Sequence, residues 1–271
     1  TGDKTTGGLI GYDSDWRSAS ITDSYVTGTI TGSTEKIEVI DGNMLEPQNG
    51  DIGGLVGYTE EISITNSHVS ADIEGYRYVG GLVGYLDKEA DIKQSYVKDS
   101  TVNATKFAGG LAGIQLNNTQ IKNSYVVDST IQSDKHAGGL VGENGSLIEN
   151  SYFSGEVTGN TDIGAVTGLN GADGKYQQKG PDGTIKNVYW NTTNSTPNQA
   201  IGKEGGDYQE EITVGRFTVG GYEGGNSITE GNVTNLTTSE MQGESANSNM
   251  PTFDFTNVWT TTSEEYPKLQ E

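Results

Sequence analysis

The sequence GGLVG at residues 80–84 decides the fold prediction, because nearly the same word returns along much of the chain. Its other occurrences, the last of them degraded, lie at 7–11, 53–57, 109–113, 138–142 and 164–168. A catalytic loop is normally present once in a chain, whereas a structural unit is present many times. The recurrence therefore indicates a repeat architecture.

Each occurrence is followed by two further β-prone pieces. The second piece contains an Ile, a polar residue and an aromatic or histidine ring, as in IKNSYV at residues 121–126. It recurs at 21–26, 64–69, 92–97, 148–153 and 185–190. The third piece contributes one aliphatic residue, which is Ile30, Ile73, Val102, Ile131 or Val157. None of the pieces has the length or period of a helix, so the unit is three short strands in 26 to 29 residues.

Stacking such units buries faces that a single three-strand rung would leave exposed. Rungs about 4.8 Å apart pair every strand with its counterparts above and below, and equivalent residues form columns. We expect three inward columns. They are Leu9, Leu55, Leu82, Leu111 and Leu140; then Ile21, Ile64, Ile92, Ile121, Ile148 and Ile185; then Val26, Val69, Val97, Val126, Phe153 and Trp190. The glycine pairs permit either a sharp corner or a close backbone approach.

A polar column is expected at another corner of each rung, where amide side chains can hydrogen-bond along the stack. Its members are Asp23, Asn66, Gln94, Asn123, Asn150 and Asn187. The sequence thus predicts an all-β fold, a β-solenoid (β-helix) of about six three-strand rungs with an irregular C-terminal cap.

The chain divides into three parts on this interpretation. Residues 1–190 are the solenoid, 191–235 an irregular β insertion or degraded rung, and 236–271 the capping segment, which contains four large aromatic residues for hiding an open edge. No cap precedes the first rung. We therefore expect its edge to be covered by a partner or by chain that has been removed.

Composition excludes several classes of function. The net charge of −21 argues against nucleic-acid binding, which needs a basic surface. The absence of cysteine excludes disulfides, thiol catalysis and Cys-liganded zinc. The sequence contains no run of about 18 apolar residues, so it predicts no membrane-spanning helix.

The repeated words resemble the GLUG-motif repeats of bacterial and archaeal surface proteins, which also occur in adhesins and in non-catalytic regions of some immunoglobulin A-cleaving metallopeptidases. The C-terminal words LTTSEMQG (236–243), FDFTNVW (253–259) and YPKLQ (266–270) are similar to the segment that often closes such arrays. The resemblance implies an extracellular, cell-surface location. It also implies partners that are other copies of the chain or neighbouring surface-protein domains, with glycans as a further candidate. Metallopeptidase chemistry is not implied, because no HExxH motif occurs.

One ring from each second piece forms a column that we expect on the outer surface, as a ligand or partner face. Its members are Tyr25, His68, Tyr96, Tyr125, Tyr152 and Tyr189. Stacked exposed rings can carry sugars or another protein. A purely structural ladder that covers the sheet is the competing interpretation.

Calcium is the one cofactor for which the sequence offers candidate ligands. Asp99 and Asp128 occupy the same position in successive rungs, so stacking brings their carboxylates within roughly 5 to 6 Å. Asp13 and Asp15 lie together in a loop and could supply oxygen ligands. Solvated carboxylates are the simpler interpretation in both cases.

Seven asparagines stand in Asn-x-Ser/Thr sequons and are candidates for N-glycosylation. They are Asn103, Asn117, Asn144, Asn191, Asn194, Asn232 and Asn235.

The leading functional hypothesis is a non-enzymatic extracellular solenoid that serves as a structural, adhesive or filament-forming module of a surface protein or fibre. One alternative is a carbohydrate-binding module that uses the aromatic face. The other is a polysaccharide-active β-helix enzyme, which needs two or three carboxylates in a groove. Only the insertions at 170–183 and 202–225 could hold such groups, and neither contains a convincing constellation.

Overall fold

The protein is a β-solenoid built from stacked parallel strands, which confirms the predicted fold class. The computed structural model describes residues 5–14, 18–35, 50–171, 182–193, 196–205, 212–214, 217–219 and 225–270. Three sheets run along the stack, and each full turn of the chain adds one strand to sheet 1, one to sheet 2 and between one and three to sheet 3. Among the described residues, no helix has the length and apolar character needed to cross a bilayer.

Sheet 1 and sheet 2 contain one short strand per rung. The strands of sheet 1 are Thr6–Gly7, Asp51–Gly53, Tyr78–Gly80, Phe107–Gly109, His136–Gly138 and Ile163–Gly164. The strands of sheet 2 are Ile10–Asp13, Val56–Thr59, Val83–Leu86, Ala112–Gln115, Val141–Asn144, Thr167–Asn170 and Ile201–Glu204. The Gly-Gly-Leu part of each repeat motif joins the two sheets.

Sheet 3 contains the second and third pieces of the repeat. Its strands are Ser20–Thr22, Tyr25–Thr31, Ser63–Thr65, His68–Gly75, Asp91–Lys93, Tyr96–Lys98, Thr101–Ala104, Gln120–Lys122, Tyr125–Ser133, Leu147–Gly159, Gly183–Asn191 and Ser227–Leu236. Gly53, Gly80, Gly109, Gly138 and Gly164 pair in order in sheet 1, so consecutive rungs are 27, 29, 29 and 26 residues long. The 26 to 29 residues predicted from the sequence are therefore confirmed.

The three inward columns form one continuous apolar core, as predicted, in the middle rungs. Leu55, Leu82, Leu111 and Leu140 are completely buried, and so are the residues of the Ile column from Ile64 to Ile185. Leu9 corrects the prediction, because half of its surface is exposed. It belongs to the first rung, where no described strand lies above it.

The glycine pairs serve a close backbone approach rather than a sharp corner. Neither Gly80 nor Gly81 has the positive φ that would mark a left-handed corner. A Cβ on Gly81 would lie 2.0 Å from the carbonyl oxygen of Gly110 in the next rung, and one on Gly80 would lie 1.9 Å from the oxygen of Val83. Any larger residue would push the rungs apart.

The left-handed corners belong to the polar column instead. Asp23, Asn66, Gln94, Asn123, Asn150 and Asn187 all have φ between 46° and 53°. Asparagine and aspartate tolerate this conformation better than most residues. The amide of Asn187 donates to Asn150 at 3.2 Å, which is the predicted hydrogen bonding along the stack.

A buried serine, which was not singled out in the sequence, follows the four corners at Asn66, Gln94, Asn123 and Asn150. The hydroxyl of Ser95 accepts the backbone N–H of Ser67 at 3.1 Å and donates to the carbonyl of Lys93 at 2.8 Å. The same two bonds recur at Ser67, Ser124 and Ser151. This ladder satisfies backbone groups that the corner would otherwise leave unpaired.

The chain beyond residue 190 adds a partial seventh rung and then turns back along the solenoid. Ile201–Glu204 extends sheet 2 and Ser227–Leu236 extends sheet 3. An antiparallel pair, Ile212–Val214 with Phe217–Val219, lies between them in sequence. The C-terminal segment contains a 3-10 turn at Thr238–Glu240, the helix Gly243–Asn249, and a second antiparallel pair, Trp259–Thr260 with Lys268–Leu269.

Candidate functional site

The most extended surface feature is the aromatic ladder of sheet 3. The strand register places Tyr25, His68, Tyr96, Tyr125, Tyr152 and Tyr189 directly above one another. From Tyr25 to Tyr152, successive ring centroids lie 4.7 to 5.5 Å apart and the ring planes differ by at most 11°. The predicted column therefore exists as a continuous stack.

Half of this ladder is covered and not accessible to solvent, which corrects the prediction of an outer surface for three of its members. Tyr125, Tyr152 and Tyr189 are buried, because the C-terminal segment packs over them. The segment was expected to hide an open edge of the solenoid, but it covers the outer face of the rungs instead. The last strand, Ser227–Leu236, remains largely exposed.

The contact is a second hydrophobic core outside the solenoid. Trp259 touches the rings of Tyr125 and Tyr152 at centroid distances of 5.9 and 5.8 Å, and Phe253 meets Tyr189 edge-on at 5.3 Å. The Tyr152 hydroxyl donates to the carbonyl of Pro267 at 2.7 Å. Burial raises the pKa of Tyr152 well above its usual value, so this phenol stays a neutral donor.

The part of the ladder that the C-terminal segment leaves uncovered consists of Tyr25, which is exposed, and of His68 and Tyr96, which are half-buried. The ring faces of His68 are covered by its two neighbours, at centroid distances of 5.5 and 4.7 Å. Sugars stack on ring faces, whereas this strip presents mainly ring edges and polar atoms. Burial lowers the pKa of His68, and the charge of Lys98 lowers it further. The imidazole of His68 is therefore neutral at neutral pH.

Two shorter ladders of rings on sheets 1 and 2 were missed in the sequence, and four of their rings, Tyr58, Tyr78, Tyr85 and Phe107, are buried in one cluster. Tyr12, Tyr58 and Tyr85 stack at 4.9 and 5.0 Å. Tyr78, Phe107 and His136 stack at 4.9 and 4.6 Å. A tyrosine directly after the repeat word at residues 12, 58 and 85 was the available signal for the first of them.

His136 has a carboxylate partner that sequence spacing did not reveal. Its Nδ1 lies 3.0 Å from the Oδ2 of Asp162, which belongs to the next rung. The other ring neighbour is Phe107. Stacking on Phe107 and the contact with Asp162 explain the position of His136 without any chemistry.

Asp99 and Asp128 follow the same left-handed corner in successive rungs, with φ of 47° and 49°. Both side chains are exposed. Burial of its surroundings raises the pKa of Asp128, and the carboxylate of Asp99 raises it further. The pair is thus close enough to interact, as predicted, but within the described residues no group of three acids, histidines or cysteines is placed to hold a metal ion.

The second candidate calcium site is only partly within the described residues. Asp13 accepts a hydrogen bond from the Thr59 hydroxyl at 3.1 Å. Asp15 lies outside the described residues. Asp13 is therefore hydrogen-bonded to the next rung, and calcium binding by Asp13 and Asp15 stays a prediction.

The sequons differ in accessibility. Asn117, Asn232 and Asn235 are exposed and Asn103 is half-buried, whereas Asn194 lies outside the described residues. Asn144 and Asn191 are completely buried, which excludes them as glycosylation sites in the folded protein. Asn144 donates to Asn170 at 2.6 Å and Asn191 donates to Tyr266 at 2.7 Å, so both have structural roles.

One buried carboxylate stands apart and could not be recognised in the sequence. Asp51 begins the sheet 1 strand of the second rung and has no solvent exposure. Neither of its carboxylate oxygens has a hydrogen-bond partner among the described residues. Burial raises the pKa of Asp51 from 3.8 to about 8, although the charge of Arg77 acts in the opposite direction. Asp51 is therefore protonated at neutral pH.

Parallel strands in register, inward apolar columns and a ladder on each outer face define the protein as a β-solenoid of the parallel β-helix class. The family model of the GLUG motif matches residues 2–31, 48–74 and 133–158. Three regions of the chain therefore match the GLUG motif, which confirms the resemblance seen in its repeated motifs.

Among solved structures, the fold is similar to that of a putative immunoglobulin A1 protease from Bacteroides ovatus. The two share 16% sequence identity with a TM-score of 0.55, and the match covers 95% of this chain and 76% of the other. At this identity the likeness establishes the fold alone. No curated protein sequence matches the chain.

Proposed function

We propose that the chain is a non-enzymatic, extracellular module that serves as a structural or adhesive scaffold of a cell-surface protein. The observation that supports the proposal is that the recurring residues all have structural roles. In each regular rung, the Leu, Ile and Val columns fill the core, the glycines permit close backbone contact, and the serines satisfy corner amides. The residues that recur in every rung thus serve packing, and regular packing is the property that a scaffold requires.

The aromatic ladder supports the same proposal. Three of its six rings bind the protein's own C-terminal segment, and the remaining three present mainly ring edges. This arrangement favours protein-protein contact over the sugar platform of the carbohydrate-binding alternative. The GLUG repeats agree with a secreted or surface location, since repeats of this family are typical of surface proteins.

The enzymatic alternative is tested directly by looking for turnover. The purified chain would be incubated with immunoglobulin A1, which the name of the structural neighbour suggests, and with a panel of acidic and neutral polysaccharides. We expect no new fragments by mass spectrometry, and retention of the folded chain on a subset of immobilised matrix proteins. A heat-unfolded sample is the control for non-specific retention. Cleavage by the folded chain but not by the unfolded one would overturn the proposal.

A further inference from the structure

The C-terminal segment is joined to the solenoid by side chains and not by strand pairing. Among the described residues, every backbone-to-backbone hydrogen bond of residues 237–270 closes within that range, as in the pair Trp259–Thr260 with Lys268–Leu269. The rungs themselves are joined to one another by parallel pairing in all three sheets. The segment therefore docks on sheet 3 as a unit of its own.

Internal contacts hold this unit together. Phe253 and Trp259 stack at a centroid distance of 4.5 Å, and Met250 is completely buried in the same cluster. The N–H of Gly243, which begins the short helix, donates to the carbonyl of Glu265 at 3.0 Å. The segment thus presents one defined surface to the aromatic ladder.

The ring contacts of the segment reach three consecutive rungs, the fourth, fifth and sixth along the chain. Trp259 lies 5.9 Å from the ring of Tyr125 in the fourth rung and 5.8 Å from that of Tyr152 in the fifth. Phe253 meets Tyr189 of the sixth rung at 5.3 Å. One segment therefore holds three rungs at the same time.

Buried hydrogen bonds fix the position of the segment on these rungs. Tyr152 in the fifth rung donates to the carbonyl of Pro267 at 2.7 Å, and Asn191 at the end of the sixth donates to the hydroxyl of Tyr266 at 2.7 Å. Neither Tyr152 nor Asn191 has any solvent exposure. A displaced segment would leave these buried donors unpaired, so a single docked position is favoured.

In a solenoid each rung normally contacts only the rungs directly above and below it, so rungs can unfold locally one at a time. A segment bound to three rungs changes this behaviour, because none of the three can unfold without releasing it. We propose that the C-terminal segment is a strap that makes the fourth, fifth and sixth rungs unfold together, whereas the second and third rungs unfold independently of it. The strap gives a repetitive scaffold one region that resists local unfolding. The inference goes beyond the scaffold function, and its failure would leave that function unaffected.

Hydrogen exchange measured by mass spectrometry on the complete chain tests the strap. Tyr96–Lys98 in the third rung and Tyr125–Ser133 in the fourth are paired, equivalent strands, and only the fourth rung lies under the strap. We expect the strands of the three strapped rungs to exchange at one common rate, about tenfold more slowly than Tyr96–Lys98, as one or two aromatic contacts would cause. Equal rates in Tyr96–Lys98 and Tyr125–Ser133 would overturn the proposal.

A matched pair of substitutions separates the strap from the ladder itself. Tyr125→Ala and Tyr96→Ala each remove a ring that stacks between two ladder neighbours, and only Tyr125 also contacts Trp259. Tyr125→Ala is expected to speed exchange two rungs away, in Gly183–Asn191, whereas Tyr96→Ala should leave the strand two rungs away from it, Leu147–Gly159, unchanged. An unchanged rate in Gly183–Asn191, or equal effects of the two variants, would refute coupling through the strap.

Trp259→Ala tests the same coupling from the side of the strap. Exchange should become about tenfold faster in the fourth, fifth and sixth rungs together, since one indole contacts two of them and holds the core of the segment, with no change in Tyr96–Lys98. An effect confined to one rung, or one spread equally over the second to sixth rungs, would overturn the proposal. The comparison of strands in the unsubstituted chain decides the outcome for any variant whose circular dichroism shows that it has not folded.

Discussion

Replacing Asp51 by asparagine is expected to stabilise the fold at neutral pH, because this buried carboxyl group opposes folding whenever the unfolded chain can ionise. Asp51 has no hydrogen-bond partner in the part of the chain that the structure describes, and burial raises its pKa from 3.8 to about 8. The folded state therefore keeps a proton that the unfolded state releases between those two values. Stability must fall as the pH rises through this window and level off above the folded pKa.

The size of the effect follows from the width of that window. Each pH unit corresponds to about 1.4 kcal/mol, so at pH 7, some three units above the unfolded pKa, Asp51 costs about 4 kcal/mol of unfolding free energy relative to acidic solution. Asparagine has nearly the same shape and stays neutral. The variant is therefore expected to be more stable by about 4 kcal/mol at pH 7, with almost no difference at pH 4.

Urea unfolding followed by circular dichroism at pH 4, 5.5, 7 and 8.5 would measure this difference for Asp51→Asn against the parent chain. Asp99→Asn, which removes an exposed carboxylate, is the matched control and should show no comparable gain. A gain of the same size at every pH, or no gain at pH 7, would show that Asp51 is not a buried carboxyl group without a partner.

Three further predictions test the packing. Leu111→Asp places an unpaired charge in the core and is expected to cost several kcal/mol, whereas Leu9→Asp on the half-exposed end should be tolerated; equal losses of melting temperature would contradict the assigned columns. Tyr152→Phe removes the donor to a buried carbonyl and should cost about 1 to 2 kcal/mol in urea unfolding, while Tyr25→Phe should be neutral. Deleting residues 79–107 removes one rung in register, so the chain should still fold with a native-like spectrum, and an unfolded product would refute the stacking register.

Much of the fold could be predicted from the sequence, because a solenoid converts sequence position into spatial position. Residues such as Leu82 and Leu111 recur at the rung length, and each contacts mainly its counterparts one rung away. The left-handed corners are visible for the same reason, since Asn66 and Asn123 are types that tolerate positive φ. A local repeat therefore suffices to determine the inward columns and the corner residues.

The candidate site was predicted less well, because burial of an outer face depends on a contact between distant parts of the chain. Tyr25 and Tyr152 stand at equivalent places in the repeat, yet one is exposed and the other completely buried. The difference comes from the C-terminal segment, whose Trp259 packs over the later rungs. Nothing in the repeat unit distinguishes the two tyrosines.

The sequence by itself determined the solenoid, its rung length and the side chains that fill its core, since these depend on interactions between adjacent copies of one short pattern. Only the tertiary structure decided which part of the outer ladder is free, and that Asp51 is buried with no hydrogen-bond partner among the described residues. Those properties depend on which surfaces the non-repeating segments cover and on where the stack stops. A periodic pattern contains no information about either, because every rung within it is equivalent.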